Sequence, residues 1–224
     1  MSATADILVL HTANLGPWPG EGFEAALRRL PPALAMEVMA RRRWQDRQAR
    51  LQARLLLARG LAELGLSPGL EAWTRAPQGK PLLAGAGVAF SISHTEGMTI
   101  CALSRHCELG VDVEVVQEVD PAEFEGFFTP AEMAHIRAGR PPWRTLLGLW
   151  TAKEAVLKAD GRGLLAEPRL LEVLGPRPSL DGRAWCLAAL NLGSGHLCHL
   201  ACELERPRAR LKAVAWEELT APSA

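Results

Sequence analysis

Apolar positions along the first half of the chain predict a strand, a helical region and then further strands. Residues 7–10 form a short apolar run, typical of a strand. From residue 34 to residue 64, leucines recur at helical spacing and no Gly or Pro intervenes before Gly60, which predicts one long amphipathic helix or two abutting ones. Strand patterns follow at residues 72–74, 88–93, 98–104 and 109–116, with residues 94–97 as the loop of a hairpin.

The second half repeats this order. Thr129 can cap a helix over residues 130–138 whose first residue is a proline, and a second helix is expected over residues 143–159. Further strands are expected at residues 170–174, 184–190, 196–204 and 211–216. Two halves that each run from helix to strands predict an α+β chain of two similar lobes, residues 1–105 and 106–224.

Composition limits the classes of function. The 224 residues carry 25 Lys and Arg against 25 Asp and Glu, so no global charge points to nucleic acid or to a membrane surface. No apolar segment approaches the roughly 18 residues of a membrane span, and the N-terminal pattern is not that of a secretory signal. Five cysteines, an odd count, suggest reduced thiols and a cytoplasmic protein.

The first chemical motif is the sequence Gly-Val-Asp-Val-Glu at residues 110–114. Side chains alternate along a strand, so Asp112 and Glu114 point to one face while the valines point to the other. Two neighbouring carboxylates repel each other unless a cation lies between them, and oxygen ligands of this kind suit Mg²⁺ with phosphate oxygens. Taken alone, the motif is more typical of the polar edge of an amphipathic strand.

A second motif lies on the helix expected over residues 143–159. Trp150, Glu154 and Lys158 follow at steps of four and share one face, whereas Lys153 is rotated away from it. At a phosphoryl centre, a carboxylate can bind the metal ion while an ammonium group one helical turn away neutralises charge on the phosphate. The alternative is an ordinary ion pair within the helix, which contributes about 0.3–0.5 kcal/mol.

Weaker signals lie in the first half. Ser93 and His94 stand at a strand end and could donate to phosphate, and Lys80 lies in a Gly-Lys-Pro turn. Arginines at positions 43, 47, 50 and 54 follow helical steps and predict one cationic stripe, which fits phosphate groups or is simply a solvated face. His and Cys residues in the segment 196–202 alternate between strand faces, so they are not expected to close a zinc site.

Together these pieces resemble one family, the 4′-phosphopantetheinyl transferases of the two-lobed kind that activate peptide and polyketide synthetases. The motif at residues 110–114, followed by Trp150-x-x-Lys153-Glu154-Ala155-x-x-Lys158, is similar to that family's signature. Residues 127–132 look like its phenylalanine-rich segment, and residues 161–164 like its glycine turn. The resemblance spans roughly residues 40–175, and it implies the fold of that family, with two α/β lobes in a pseudo-twofold relation.

The resemblance implies a role for each candidate residue. Asp112, Glu114 and Glu154 would hold Mg²⁺, with Glu154 also the candidate general base. Lys158 would contact the pyrophosphate of coenzyme A. The remaining contacts to coenzyme A would come from Ser93 and His94 at the pyrophosphate and 3′-phosphate, Lys80 along the adenine nucleotide, and Arg47 and Arg50 at the 3′-phosphate.

The expected activity follows from the same resemblance. The 4′-phosphopantetheine group of coenzyme A would pass to a serine of an apo acyl, peptidyl or polyketide carrier protein, with release of 3′,5′-ADP. A monomer is expected, because one chain supplies both lobes, with neither nucleic acid nor membrane as a partner. One alternative is a non-catalytic carrier-protein or nucleotide-binding module of the same fold. A second, an RNA-binding protein that uses the arginine stripe, leaves the acidic pairs unexplained.

Overall fold

The computed structural model describes residues 6–66 and 69–220 and shows a mixed α+β protein, which confirms the predicted fold class. The α-helices are α1 (Gly20–Leu27), α2 (Pro32–Met39), α3 (Trp44–Glu63), α4 (Pro130–Ala138), α5 (Pro142–Asp160) and α6 (Trp216–Thr220). The strands are β1 (Ile7–Asn14), β2 (Trp73–Arg75), β3 (Pro81–Leu83), β4 (Ala89–Thr95), β5 (Gly97–Ser104), β6 (Leu109–Val115), β7 (Ser179–Leu180), β8 (Arg183–Ala184), β9 (Cys186–Ala189), β10 (His196–Cys202) and β11 (Ala209–Ala213).

Two sheets form the body of the protein. The larger has the order β11-β1-β5-β4, and the smaller has the order β6-β10-β9. Helix α3 packs on β5 and β1, whereas α5 packs on β6 and β10, so each sheet carries one long helix. This pairing of a helix with a sheet in each half is compatible with two lobes of related build.

The long helical region is two helices, one of the two predicted arrangements. Residues 40–43, which include three consecutive arginines, separate α2 from α3. Helix α3 approaches β5 closely at Gly60, where an added Cβ would lie 2.6 Å from Cδ1 of Leu103. The leucines of α3 complete the apolar core beneath the larger sheet.

The end of the chain packs on the first half, at the edge of the larger sheet. Strand β11 pairs in parallel with β1, with Val9 opposite Leu211. Val214 and Leu219 are buried in the same apolar cluster as the leucines of α3. The predicted strand 211–216 therefore ends at Ala213, and a short helix follows it.

The strand predicted over residues 170–174 is wrong. A short 3₁₀ helix, Pro168–Leu170, precedes residues whose backbone joins no sheet. Leu171 and Val173 are nevertheless buried against α5, which explains their alternating pattern. The backbone N–H of Val173 donates to Oε1 of Glu132 at 2.9 Å, so a side chain takes the place of a neighbouring strand.

A side-chain ladder joins the two sheets. Hydroxyls of Ser91, Ser93 and Thr95 on β4 accept hydrogen bonds from alternate backbone N–H groups of β6, at residues 111, 113 and 115, with donor–acceptor distances of 3.0, 3.4 and 3.2 Å. The two strands therefore run side by side in the same direction. The three hydroxyls accept hydrogen bonds from the edge of β6 that the backbone carbonyls of a neighbouring strand would otherwise accept.

Gly110 allows α5 to lie directly on β6. An added Cβ there would lie 2.1 Å from the carbonyl oxygen of Ala155 and 2.4 Å from the backbone nitrogen of Ala159. Real Cβ atoms do not tolerate such distances, and both neighbours are helix backbone, which cannot move like a side chain. The glycine at the start of the acidic motif therefore sets the distance between the strand and the helix.

No helix in the described ranges combines the length and the apolar character needed to cross a membrane.

We expect Gly110→Ala to destabilise the protein by about 1–3 kcal/mol or more, because the helix must move away from the strand. Gly148→Ala is the matched control, since Gly148 lies on the same helix with nothing within 4 Å of an added Cβ. It should be neutral or stabilising by up to about 1 kcal/mol. Urea unfolding measures both, and equal stability of the two variants would contradict the close approach.

Candidate functional site

Asp112 is the centre of a polar cluster where β6, β4 and α5 meet. The residue is 4% exposed, although it is a carboxylate. Its Oδ1 accepts from Nζ of Lys158 at 2.6 Å and from Oγ of Ser93 at 2.8 Å. Its Oδ2 is buried and has no hydrogen-bond partner among the described residues. A polar strand edge in solvent is thereby excluded, and one buried oxygen is available for a further ligand.

Two more carboxylates border Asp112. Burial raises the pKa of Glu114 above its usual value, and the nearby Asp112 adds to this shift, while the hydroxyl of Thr95, which donates to Oε2 at 3.1 Å, opposes it. Burial likewise raises the pKa of Glu154; Lys158 opposes the shift, and Asp112 and Glu114 add to it. The strand pair and the helix carboxylate are therefore close enough to sense each other's charge.

Lys158 reaches from α5 to the strands. Its ammonium group bonds Asp112, and it donates to Oγ of Ser93 at 3.0 Å. The contact that Lys158 makes is thus a bridge between two elements, and the alternative of a simple ion pair with Glu154 along the helix does not describe it. The side chain is 28% exposed, so the ammonium lies at the boundary between the buried cluster and solvent.

Lys153 lies on a different face of α5 from Lys158 and forms a buried ion pair. It is fully buried, with Nζ 2.9 Å from Oε2 of Glu132 and 2.9 Å from the carbonyl oxygen of Pro168, and it also donates to the carbonyl of Leu171. Glu132 in turn caps α4 through a reciprocal pair of hydrogen bonds with Thr129. The rotation of Lys153 away from Glu154 and Lys158, predicted from helical spacing, is confirmed.

A cavity of about 280 Å³ opens beside Lys158. Lys80, Ser91 and Gly161 are among the residues that line it. The ammonium of Lys80 is held by Oε2 of Glu108 at 2.7 Å and by the carbonyl oxygen of Ala159 at 3.1 Å. Lys80 therefore lies at the wall of this cavity and at the C-terminal end of α5, where a cation is favoured by the helix dipole.

A second cavity of about 410 Å³ continues along β4, with His94 and Thr95 in its wall. The side chain of His94 opens to solvent, yet it lies deep enough between α3 and the strands that desolvation lowers its pKa; Arg50 and Lys158 lower the pKa further. His94 and Arg50 thus share one positive region. The residues of β4 line the two cavities in succession, with Ser93 between them.

The remaining arginines of α3 do not form the predicted single stripe. Arg47 donates to the backbone carbonyls of Arg41 and Arg42 at 2.8 and 2.9 Å, which fixes the turn before the helix. Arg54 is 4% exposed, pairs with Glu37 at 3.1 Å and lies over the ring of Trp73. The stripe prediction is wrong at Arg54, because a residue on the same helical row can face the core.

Asp112, Glu114 and Glu154 are the carboxylates of this cluster that could share a divalent cation. Among the described residues no group of three His, Cys, Asp or Glu side chains already surrounds one point as a metal cage does. Mg²⁺, however, is usually held by one or two carboxylates together with water and substrate phosphates. The unpartnered Oδ2 of Asp112 and the mutual repulsion with Glu114 and Glu154 are what such a partial site requires, so the residues fit.

Sequence reasoning missed several residues that hold the site together. Thr95 bonds Glu114, and Glu132 neutralises Lys153. His199, which is opposite Asp112 in the β6–β10 register, shares a hydrogen bond of 2.8 Å with Oγ1 of Thr151 on α5. Only the hydroxyls at alternate positions 91, 93 and 95 left a visible signal, a polar period of two on a strand.

Comparisons with known proteins point to one family. The model of the 4′-phosphopantetheinyl transferase superfamily matches residues 108–195, which contain β6 and α5. A putative 4′-phosphopantetheinyl transferase of Synechocystis sp. is 36% identical over 147 residues, 58% of each chain. The 4′-phosphopantetheinyl transferase HetI of Nostoc sp. is 31% identical over 109 residues, 45% of this chain and 46% of the relative. AcpT of Salmonella typhimurium, a 4′-phosphopantetheinyl transferase, is 34% identical over 119 residues, 49% of this chain and 59% of the relative.

The cluster of acidic and basic side chains between β6 and α5 thus lies inside the segment, residues 108–195, that is similar to the 4′-phosphopantetheinyl transferase superfamily. The chain spans about half the length of the curated relatives it matches. Arg47, Arg50, Lys80, Ser93 and His94 lie outside the segment that the superfamily model covers.

We expect Lys153→Met to destabilise the fold by about 3–5 kcal/mol, because Glu132 would keep a buried charge without its partner. Arg144→Met is the control on the same helix: this arginine is exposed, so its loss should change stability by no more than about 0.5 kcal/mol. Chemical denaturation at neutral pH compares them. A Lys153→Met variant as stable as the control would show that the pair has no structural role.

Proposed function

We propose that this protein transfers the 4′-phosphopantetheine group of coenzyme A to a serine of an apo acyl, peptidyl or polyketide carrier protein and releases 3′,5′-ADP. The observation that carries the proposal is the meeting of Asp112, with one unpartnered buried oxygen, and Lys158 beside a cavity at the junction of the two sheets. The match of residues 108–195 to the 4′-phosphopantetheinyl transferase superfamily supports the same chemistry.

Charge neutralisation is the main requirement of this reaction, because a pyrophosphate bond must break. Asp112, Glu114 and Glu154 would hold Mg²⁺, which when bound supplies positive charge to the phosphate oxygens. Lys158 supplies a second positive charge from the protein itself. Its ammonium is partly exposed and already held by Ser93 and Asp112, so a small rotation of a flexible side chain would bring it to a phosphate.

The serine hydroxyl of the carrier is a poor nucleophile at neutral pH and must lose its proton. Glu154 is our candidate for the general base. Burial and the carboxylates of Asp112 and Glu114 raise the pKa of Glu154, and Mg²⁺ held by these three carboxylates would oppose that shift. The position of Glu154 on α5, one turn before Lys158, puts the acceptor of the proton next to the group that stabilises phosphate charge.

The nucleotide portion of coenzyme A would occupy the cavities along β4. Lys80 would lie along the adenine nucleotide, and Ser93 and His94 would contact the phosphates. Arg50, whose charge already acts on His94, would face the 3′-phosphate. Arg47 would reach that phosphate only by exchanging a carbonyl contact at Arg41 or Arg42 for it, so we assign it the smaller share.

The alternative is a binding module of the same fold without catalysis. Mass spectrometry of an apo carrier protein incubated with coenzyme A, Mg²⁺ and this protein separates the two. Gain of one phosphopantetheine group on a carrier serine supports the transferase. Binding of coenzyme A without that gain, across acyl, peptidyl and polyketide carriers, would favour the binding module.

Asp112→Asn should abolish transfer and weaken binding of Mn²⁺, used as a spectroscopic substitute for Mg²⁺, because the buried anionic oxygens lose their charge. Asp181→Asn is the matched control: Asp181 is an exposed carboxylate that pairs with Arg162. Transfer is followed by carrier mass and Mn²⁺ binding by electron paramagnetic resonance. Wild-type activity and Mn²⁺ affinity in Asp112→Asn would reject this metal site.

Lys158→Met should lower kcat by about 100-fold or more while changing the dissociation constant of coenzyme A far less, because its charge acts mainly on the transition state. Single-turnover transfer and calorimetric binding of coenzyme A give the two quantities. The reverse pattern, weak binding with nearly normal turnover, would assign Lys158 to ground-state binding alone.

A further inference from the structure

His199 lies on the face of the smaller sheet that α5 covers. Its neighbours along β10, Cys198 and Leu200, are buried in the apolar cluster between the two sheets, so the half-buried imidazole of His199 lies on the other face. In the β10–β6 register His199 is directly opposite Asp112. Residues in this relation have Cβ atoms about 4.5–5.5 Å apart, so the imidazole is next to the carboxylate at the centre of the site.

A hydrogen bond joins His199 to α5. Nδ1 of the ring is 2.8 Å from Oγ1 of Thr151, whose side chain is fully buried. The same hydroxyl donates to the helix, since Oγ1 lies 3.0 Å from the carbonyl oxygens of Leu147 and Gly148. Because a hydroxyl has only one proton, Thr151 accepts from the ring, and Nδ1 of His199 carries the hydrogen. This contact fixes both the tautomer and the orientation of the imidazole.

Thr151 lies on the side of α5 that carries the candidate catalytic groups. Glu154 follows it by three residues and Lys158 by seven, so the three side chains lie along one stripe of the helix. His199 bonds the N-terminal part of this stripe to β10, and Lys158 bonds its C-terminal part to Asp112 on β6. Glu154 lies between these two hydrogen-bonded positions.

The close contact at Gly110 leaves one motion of α5 to be restrained. Ala155 and Ala159 meet β6 at this glycine, and the helix could tilt about that point. Apolar packing is non-directional, so it restrains such a tilt less than a hydrogen bond with a defined distance and angle. The bond between His199 and Thr151 is the only one between α5 and β10 among the residues that the structure describes.

We propose that His199 is a positioning residue of the transferase site and that, through Thr151, it determines where α5 places Glu154 and Lys158 relative to Asp112. This inference rests on the proposed function. A misplacement of about 1 Å at a reacting group can lower a rate about 100-fold. The alternative is a histidine that only stabilises the packing of α5 on β10. A positioning role changes the rate of the folded enzyme, whereas a purely structural role changes stability alone.

Two single variants and their combination test the contact. His199→Leu removes the ring nitrogen, and Thr151→Val removes the hydroxyl but keeps the shape of the side chain. Each breaks the same hydrogen bond, so each should lower the single-turnover rate of transfer by about 10- to 100-fold. The double variant should be no slower than the slower single variant, because one hydrogen bond can be lost only once. The calorimetric dissociation constant of coenzyme A should change far less, since its proposed contacts lie along β4.

Binding of Mn²⁺ gives a second readout that needs neither a carrier protein nor transfer. Glu154 is a proposed ligand, so its displacement should weaken Mn²⁺ binding by about 10-fold in both single variants, measured by electron paramagnetic resonance. If the wild-type protein transfers no phosphopantetheine to any carrier, the proposed function fails, and the Mn²⁺ series still tests the role of His199.

Two further variants are controls. Thr151→Ser keeps the hydroxyl and should keep a rate close to that of the wild type. His196→Leu makes the same substitution on the same strand, but His196 lies on the face turned away from α5, where Nε2 is 2.9 Å from the carbonyl oxygen of Glu96. It should leave the rate and the Mn²⁺ affinity unchanged. Urea unfolding of each variant establishes that the rates belong to folded protein.

Three results would overturn the proposal. A normal rate and a normal Mn²⁺ affinity in folded His199→Leu would leave this histidine a structural role alone. A slow His199→Leu beside a normal Thr151→Val would show that the ring does not act through the helix. Losses that add in the double variant would show that the two side chains act independently.

Discussion

The close packing of α5 on β6 is the constraint on which the rest of the site depends. Gly110 permits it, since any Cβ there would meet the backbone of Ala155 and Ala159. At this distance the Lys158 ammonium reaches Asp112 at 2.6 Å, and Glu154 comes within the electrostatic range of two strand carboxylates. Buried like charges are tolerated only where cations lie near them. The packing of α5 on β6 therefore also determines which charged groups meet in the site.

A second ionic contact keeps this helix in place. Lys153 and Glu132 form a fully buried pair whose remaining hydrogen-bonding groups are taken up by backbone, including the N–H of Val173 and the carbonyl of Pro168. The pair connects α4, α5 and the irregular segment after it. Two lysines of α5 therefore have different roles. Lys153 fixes the helix to α4 through Glu132, and Lys158 lies on the side of the helix that faces Asp112 and the cavity.

The junction between the sheets gives the cleft its shape. Strand β4 contacts β6 through side-chain hydroxyls and not through a continuous ladder of backbone hydrogen bonds. Other side chains of β4 line the two cavities. Ser93 shows this dual use, since its hydroxyl accepts from Val113 and Lys158 and donates to Asp112. A phosphate at this position would enter an existing network and exchange partners within it, at little cost in side-chain ordering.

The fold class, the shared strand face of Asp112 and Glu114, and the separation of Lys153 from Lys158 could all be predicted from the sequence, because strand and helix periods are local properties. Tertiary packing, by contrast, buries Arg54 and pairs it with Glu37, and it returns residues 209–213 to β1. Residues 170–174 have the alternating pattern of a strand but pair with no other strand. The backbone N–H of Val173 donates to the side chain of Glu132 and not to a neighbouring strand. Such contacts join residues distant in the chain, and packing, which no local pattern encodes, selects them.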